Sequence, residues 1–139
     1  MSNLSTAYMD LAYRPDLRIL FLRWTRQTTS QELRAAYGQV LELARQEQAG
    51  RWLIDLRRRE LADPPDFAWI VREVRAQLAQ DVAEAGRRIA YLVTPNNAPT
   101  IQSRLTELEL TTPAAVREAV AFRIFTEEHM ALGWLQETE

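Results

Sequence analysis

The 139-residue chain has no cysteine, no lysine, one histidine and four glycines. Without cysteine there can be no disulfide framework, thiolate zinc site, iron–sulfur cluster or cysteine nucleophile, and a reducing compartment fits the composition. Without lysine there is no Schiff-base amine and no P-loop cation. All seventeen basic residues are arginine, a usage that a GC-rich genome explains. His129 stands alone, so multi-histidine metal sites are excluded and any histidine-based triad must pass through that position. The glycines, at 38, 50, 86 and 133, form no phosphate-cradling loop. No run approaches the ~18 apolar residues of a membrane span. The opening Met1-Ser2-Asn3-Leu4-Ser5 lacks the basic stretch and apolar core of an export signal. The expectation is a cytoplasmic protein with no membrane span.

What is present suits one compact domain over residues 1–139. A chain of this length hides roughly two thirds of the surface its unfolded form exposes, enough for a core without metal or disulfide staples. A net charge of −2 gives no electrostatic footprint for nucleic acid.

Ala7 to Trp24 reads as two strands around Arg14-Pro15-Asp16, where proline presets the turn, and Leu17–Leu22 is apolar on both faces. Thr29 stands three residues before Glu32, the capping-box spacing. Leu33, Ala36, Tyr37, Val40, Leu41 and Ala44 follow at helical intervals, predicting a helix from about Ser30 to Ala49 that Gly50 ends in the left-handed conformation. A strand follows at 52–56. Asp63-Pro64-Pro65 announces a second helix with Asp63 as its cap and Phe67, Ile70, Val71, Val74, Leu78 and Val82 as its apolar stripe, closed by Gly86. Ile89–Val93 reads as strand. Two weaker helical stretches follow, the second opened by Thr112-Pro113. Ala121–Phe125 is a last strand, and Thr126 caps a final helix with Met130, Ala131, Trp134 and Leu135 facing inward. Strands separated by helices imply a largely parallel sheet in an α/β fold opened by a β-hairpin, with helices packed on it.

This order and three stretches, Leu17–Trp24, Trp52–Arg57 and Phe122–Thr126 with Ala131 and Trp134-Leu135, resemble the STAS-like superfamily, in particular its SpoIIAA-like branch of small bacterial proteins. The resemblance spans nearly the whole chain and speaks more to fold than to function. It implies a non-enzymatic signalling module that binds another protein. In the sporulation type a serine at the start of the second helix is the phosphorylation switch. Here that position reads Ala62-Asp63-Pro64-Pro65-Asp66, so the serine is missing, and Asp63 is read as an N-cap rather than a fixed phosphoserine mimic. The fold also resembles CRAL-TRIO lipid carriers, which suggests the alternative of a carrier or sensor for a small apolar or anionic ligand.

In an open α/β sheet the ligand site lies beyond the carboxyl ends of the parallel strands. Those ends carry Trp24 and Arg26, Asp55, Arg57, Arg58 and Arg59, Asp63 at the following helix start, and Asn96. Arginines beside helix N-termini suit a phosphate, a carboxylate or an acidic protein surface, against the plainer reading of a solvated loop. Asp55 is the one acid in an apolar strand, and there it would accept backbone or arginine hydrogen bonds. His129 reads as surface or packing, and Glu127 and Glu128 as helix-end electrostatics. Trp52 and Trp134 read as core, Trp24 and Trp69 as contributors to a site or interface. No catalytic set, metal site or cofactor is expected. An edge strand from the first hairpin would let a second copy pair as a homodimer.

Overall fold

The computed structural model describes residues 3–83 and 86–137. Its six strands run β1 (Asn3–Ser5), β2 (Met9–Arg14), β3 (Ile19–Trp24), β4 (Arg51–Asp55), β5 (Arg87–Leu92) and β6 (Val120–Phe125). They lie side by side in sequence order, β1 to β3 antiparallel and β3 to β6 parallel. The α/β expectation holds. β1 was not anticipated, and it covers β2 from Asp10 to Ala12, so the hairpin's outer strand is internal and the sheet's edges are β1 and β6.

Strand alternation sorts the sheet into two faces. Leu20, Leu22 and Trp24 of β3, Trp52 and Ile54 of β4, and Ile89 and Tyr91 of β5 join the larger core. Over them pack α1 (Ser30–Glu47), a helical stretch from Pro64 to Asp81, and α4 (Ala98–Glu109) through Ile101 and Leu105. Ile19, Phe21, Leu53, Ala90 and Leu92 form the opposite core, closed by Ala131 and Leu135 of α6 (Glu128–Leu135). Burying each such aliphatic side chain contributes roughly 1.5–3 kcal/mol. Trp52 is wholly buried because its indole N–H finds the Ala49 carbonyl at 2.9 Å.

The capping box forms as its spacing predicts: Thr29 Oγ1 accepts from Glu32 N at 3.1 Å, and Glu32 accepts from Thr29 N at 3.0 Å. Helix α1 ends earlier than Gly50, on Gln48 at φ 51°. Three side-chain hydrogen bonds offset the cost of that left-handed backbone: the Gln48 amide donates to the Arg45 and Asp81 carbonyls and accepts from Ala83 N. Gly86 does adopt the left-handed conformation, at φ 73°, past the helix end at Asp81.

The second helical stretch comprises α2 (Pro64–Trp69), a π turn (Ile70–Val74) and α3 (Arg75–Asp81). Its buried positions include Phe67, Ile70, Val71, Val74, Arg75 and Leu78, and the π turn lies in the middle of that inward face. Asp63 occupies the N-cap position but makes no capping hydrogen bond, and Pro65 at the second helical position removes one of the two amides from which a cap accepts. The short α5 (Ala114–Ala119) leads directly into β6. At α6 the cap position falls to Glu127 rather than Thr126, and Met130 is exposed rather than inward.

Candidate functional site

The carboxyl ends of β3 and β4 carry two distinct constellations, one on each face of the sheet. On the α6 face, beside Phe21 and Leu53, lie Arg23 and Asp55. Asp55 is 4% exposed. Its Oδ1 accepts from the Arg57 backbone N–H and from Arg57 Nε, both at 3.0 Å, and its Oδ2 from Arg57 Nη2 and Arg23 Nη1, both at 2.9 Å. Arg23 continues as a fork to Glu128 at 2.8 and 3.1 Å, and Arg57 Nη2 reaches the same carboxylate at 3.4 Å. Two arginines and two carboxylates thus close a charge-balanced ring that ties the strand ends to the first turn of α6. Burial pushes the Asp55 carboxyl up, but the hydrogen bonds from Arg57 and Arg23 outweigh it and hold it below the usual aspartate range. The Arg23 fork holds Glu128 below its own. Both acids stay ionised with their lone pairs engaged, which makes them poor proton acceptors at neutral pH.

The second constellation lies on the helical face. Trp24 is 1% exposed and is a core residue, not an open site or interface residue: it shares the parity of Leu20 and Leu22 and meets Tyr37 at 5.8 Å between ring centroids. Above its ring, at 4.9 Å, sits the Arg59 guanidinium. Arg59 is 8% exposed. Its Nε donates to the Glu60 carbonyl at 3.0 Å and its Nη1 to Thr28 Oγ1 at 3.1 Å, whereas Nη2 has no acceptor among the described residues. No carboxylate pairs with it among the described residues; the Asp66 charge acts only from beyond ion-pair distance. Desolvation accordingly pushes the guanidinium down from its ordinary range.

Beneath Arg59 is an enclosed cavity of about 20 Å³, room for a single water, walled by Trp24, Tyr37, Phe67, Tyr91 and the leucines at 33, 56 and 61. Tyr91 lines it, and its hydroxyl is buried without a hydrogen-bond partner among the described residues. Burial pushes the Tyr37 hydroxyl well up, against the Arg59 charge and a Trp24 side-chain hydrogen bond, and burial raises Tyr91 likewise. Both phenols stay protonated and can donate.

The rim expected as one surface is therefore divided: Asp55 and Arg57 belong to the α6 face, Trp24 and Arg59 to the helical face. Arg58 is exposed between them. Arg26 stays apart, donating to the Gln27 carbonyl at 2.6 Å and to Glu32 at 3.2 Å, and lies over the Tyr8 ring. Asp63 and Asn96 are exposed and join neither group. Trp69 is half-buried against Tyr37 and beneath Arg34, and Trp134 is half-buried rather than core. Arg23, Glu128, Tyr37 and Tyr91 were not singled out as site residues. Strand parity alone pairs Arg23 with Asp55 and points Tyr91 toward Trp24; the Glu128 contact, 105 residues from Arg23, left no local signal. His129 is exposed, 3.8 Å from Glu127.

Among the described residues no three histidine or acidic side chains are placed to hold a metal ion, and no helix is long and apolar enough to cross a membrane. Compared with protein-family models, with curated proteins and with solved structures, the chain has no match.

Proposed function

We propose that the chain is a non-enzymatic, STAS-like binding module of the SpoIIAA-like kind, a regulatory domain without a phosphoserine switch that recognises an anionic group on Arg59. The carrying observation is a contrast at the strand ends: Asp55 and Glu128 are fully occupied by arginine, while the nearly buried Arg59 has no carboxylate. An uncompensated buried cation costs several kcal/mol, so its retention fits a group that an incoming anion completes. An acidic side chain on a partner protein is the first such anion, since exposed Arg58 precedes Arg59 on the same connection and adds a second cation beside it. A small anionic ligand is the second reading, favoured by the cavity below and by the unpartnered hydroxyl of Tyr91, which lines it.

Native mass spectrometry of the protein purified from its own host tests this, because one spectrum reports both a protein partner and a retained small molecule. The wild type is expected to carry an added mass that Arg59→Met lacks while Arg26→Gln keeps it. An added mass indifferent to Arg59, or a turnover abolished by Asp55→Asn or His129→Ala, would contradict the reading.

A further inference from the structure

The space under Arg59 has a chemistry narrow enough to define a ligand. The walls are aromatic: Trp24 and Tyr37 stand 5.8 Å apart between ring centroids, and Phe67 and Tyr91 6.4 Å apart. Such rings interact best with a flat ring presented offset or edge-on. The one cation facing the space is a guanidinium whose Nη2 is uncommitted, and a guanidinium fork matches a planar carboxylate. A dianion would leave one buried charge uncompensated beside this single arginine, whereas a monoanion leaves none. Tyr91, a lining residue whose buried hydroxyl has no partner among the described residues, is the one further donor within the wall.

The outer wall is the part able to move. After Leu56 N bonds the Leu92 carbonyl, the connection up to α2 makes no ladder with the sheet. It is braced by side chains instead: Glu60 N on Gln27 Oε1 at 3.1 Å, Arg59 on Thr28 at 3.1 Å, and Arg104 Nη1 on the Ala62 carbonyl at 2.7 Å. The inner walls belong to β3, β5 and α1, which the sheet and the core hold rigid. Lifting the connection therefore enlarges the space without breaking a sheet hydrogen bond, at the cost of those polar contacts and of the packing of Leu61 and Ala62 against the core.

We propose that this cavity admits a compact aromatic monocarboxylate, with the carboxylate on Arg59 and the ring among Trp24, Tyr37 and Phe67, as the connection between β4 and α2 swings outward. The proposal rests on the reading of Arg59 as an anion-binding cation.

Calorimetric titration of the full chain with phenylacetate, phenylacetamide, octanoate and inorganic phosphate tests it, with hydrogen exchange read at residues 57–62. Phenylacetate is expected to bind, to speed exchange at Glu60, whose N–H leaves Gln27 as the connection lifts, and to bind roughly tenfold or more tightly than the neutral amide, octanoate or phosphate, a difference of about 1.4 kcal/mol. Arg59→Met should lose that tenfold, and Tyr91→Phe, which keeps the fold, should weaken phenylacetate while leaving phenylacetamide and octanoate as they were. Equal binding of acid and amide overturns the anion assignment, and tighter octanoate overturns the aromatic one. If no carboxylate binds at millimolar concentration but Arg59→Met still strips a protein partner from the host-purified chain, the ligand proposal falls and the proposed function stands. If neither effect is seen, both fall.

Discussion

Arg75→Ala is expected to lower the unfolding free energy by about 3–5 kcal/mol, the largest loss of any single arginine in the chain. Arg75 is 1% exposed. It follows the π turn directly and faces inward, where its Nε and Nη2 donate to the Val120 carbonyl at 3.2 and 2.6 Å, and its guanidinium lies 4.2 Å from the Phe122 ring centroid. It also pairs with Glu109, whose side chain is about one third exposed. Removing the side chain leaves the Val120 carbonyl without that donor and opens a void beneath β6. Removing only the partner is a different matter, because Arg75 keeps its carbonyl acceptor and Glu109 already meets solvent. Glu109→Gln should therefore cost about 1 kcal/mol or less. Urea unfolding of the two variants separates them, and near-equal losses would mean that the ion pair rather than the carbonyl bonds holds Arg75 in place.

Asp55→Asn is expected to cost about 2 kcal/mol at pH 7, because one carboxylate oxygen becomes an amide NH2 that cannot accept from the arginines, the remaining bonds lose their anionic acceptor, and the ring with Glu128 loses its balance. The loss should depend on pH with a definite sign. Asp55 and Glu128 are held below their ordinary values of 3.8 and 4.5 in the folded chain. Carboxyls depressed on folding contribute stability that is complete above those ordinary values and disappears as pH falls through the lower folded-state ones. The difference between wild type and Asp55→Asn should thus be constant from pH 7 down to about pH 5 and shrink below about pH 4. Unfolding curves at pH 7 and pH 3 check this; a difference that grows in acid would contradict the assigned ionisation.

Much of this architecture is legible locally. The hairpin, the capping box at Thr29 and Glu32 and the two-sided apolar strands follow from short-range spacing, and so does Asp55 as an arginine-bonded acid at a strand end. What escaped depends on chemistry that spacing does not record. The left-handed residue fell on Gln48 because its amide bonds three backbone groups, two of them at Asp81 and Ala83, which a glycine could not reach. Asp63 makes no cap, and one of the prolines that advertised it removes an amide a cap would use. The π turn left no signal, since the apolar stripe from Phe67 to Leu78 keeps close to α-helical spacing. The division of the rim was also available, since alternate residues of one strand cannot share a face: Arg23 follows Phe21, and Trp24 follows Leu22. Closure of the ring through Glu128 required knowing that α6 returns to the face opposite the other helices.

The same contrast between satisfied and unsatisfied charges underlies the functional reading, and it separates a residue kept for recognition from one kept for stability. An arginine that braces the fold is costly to lose, as Arg75 is expected to be. An arginine that waits for an anion is not, because an apolar side chain of similar length fills its place over Trp24 without the desolvation cost. The most direct measurement is the unfolding free energy of Arg59→Met against wild type in the same buffer, without added carboxylate. The account predicts a variant within about 1 kcal/mol of wild type or more stable than it. A loss of more than about 3 kcal/mol would make Arg59 a structural latch and would contradict it.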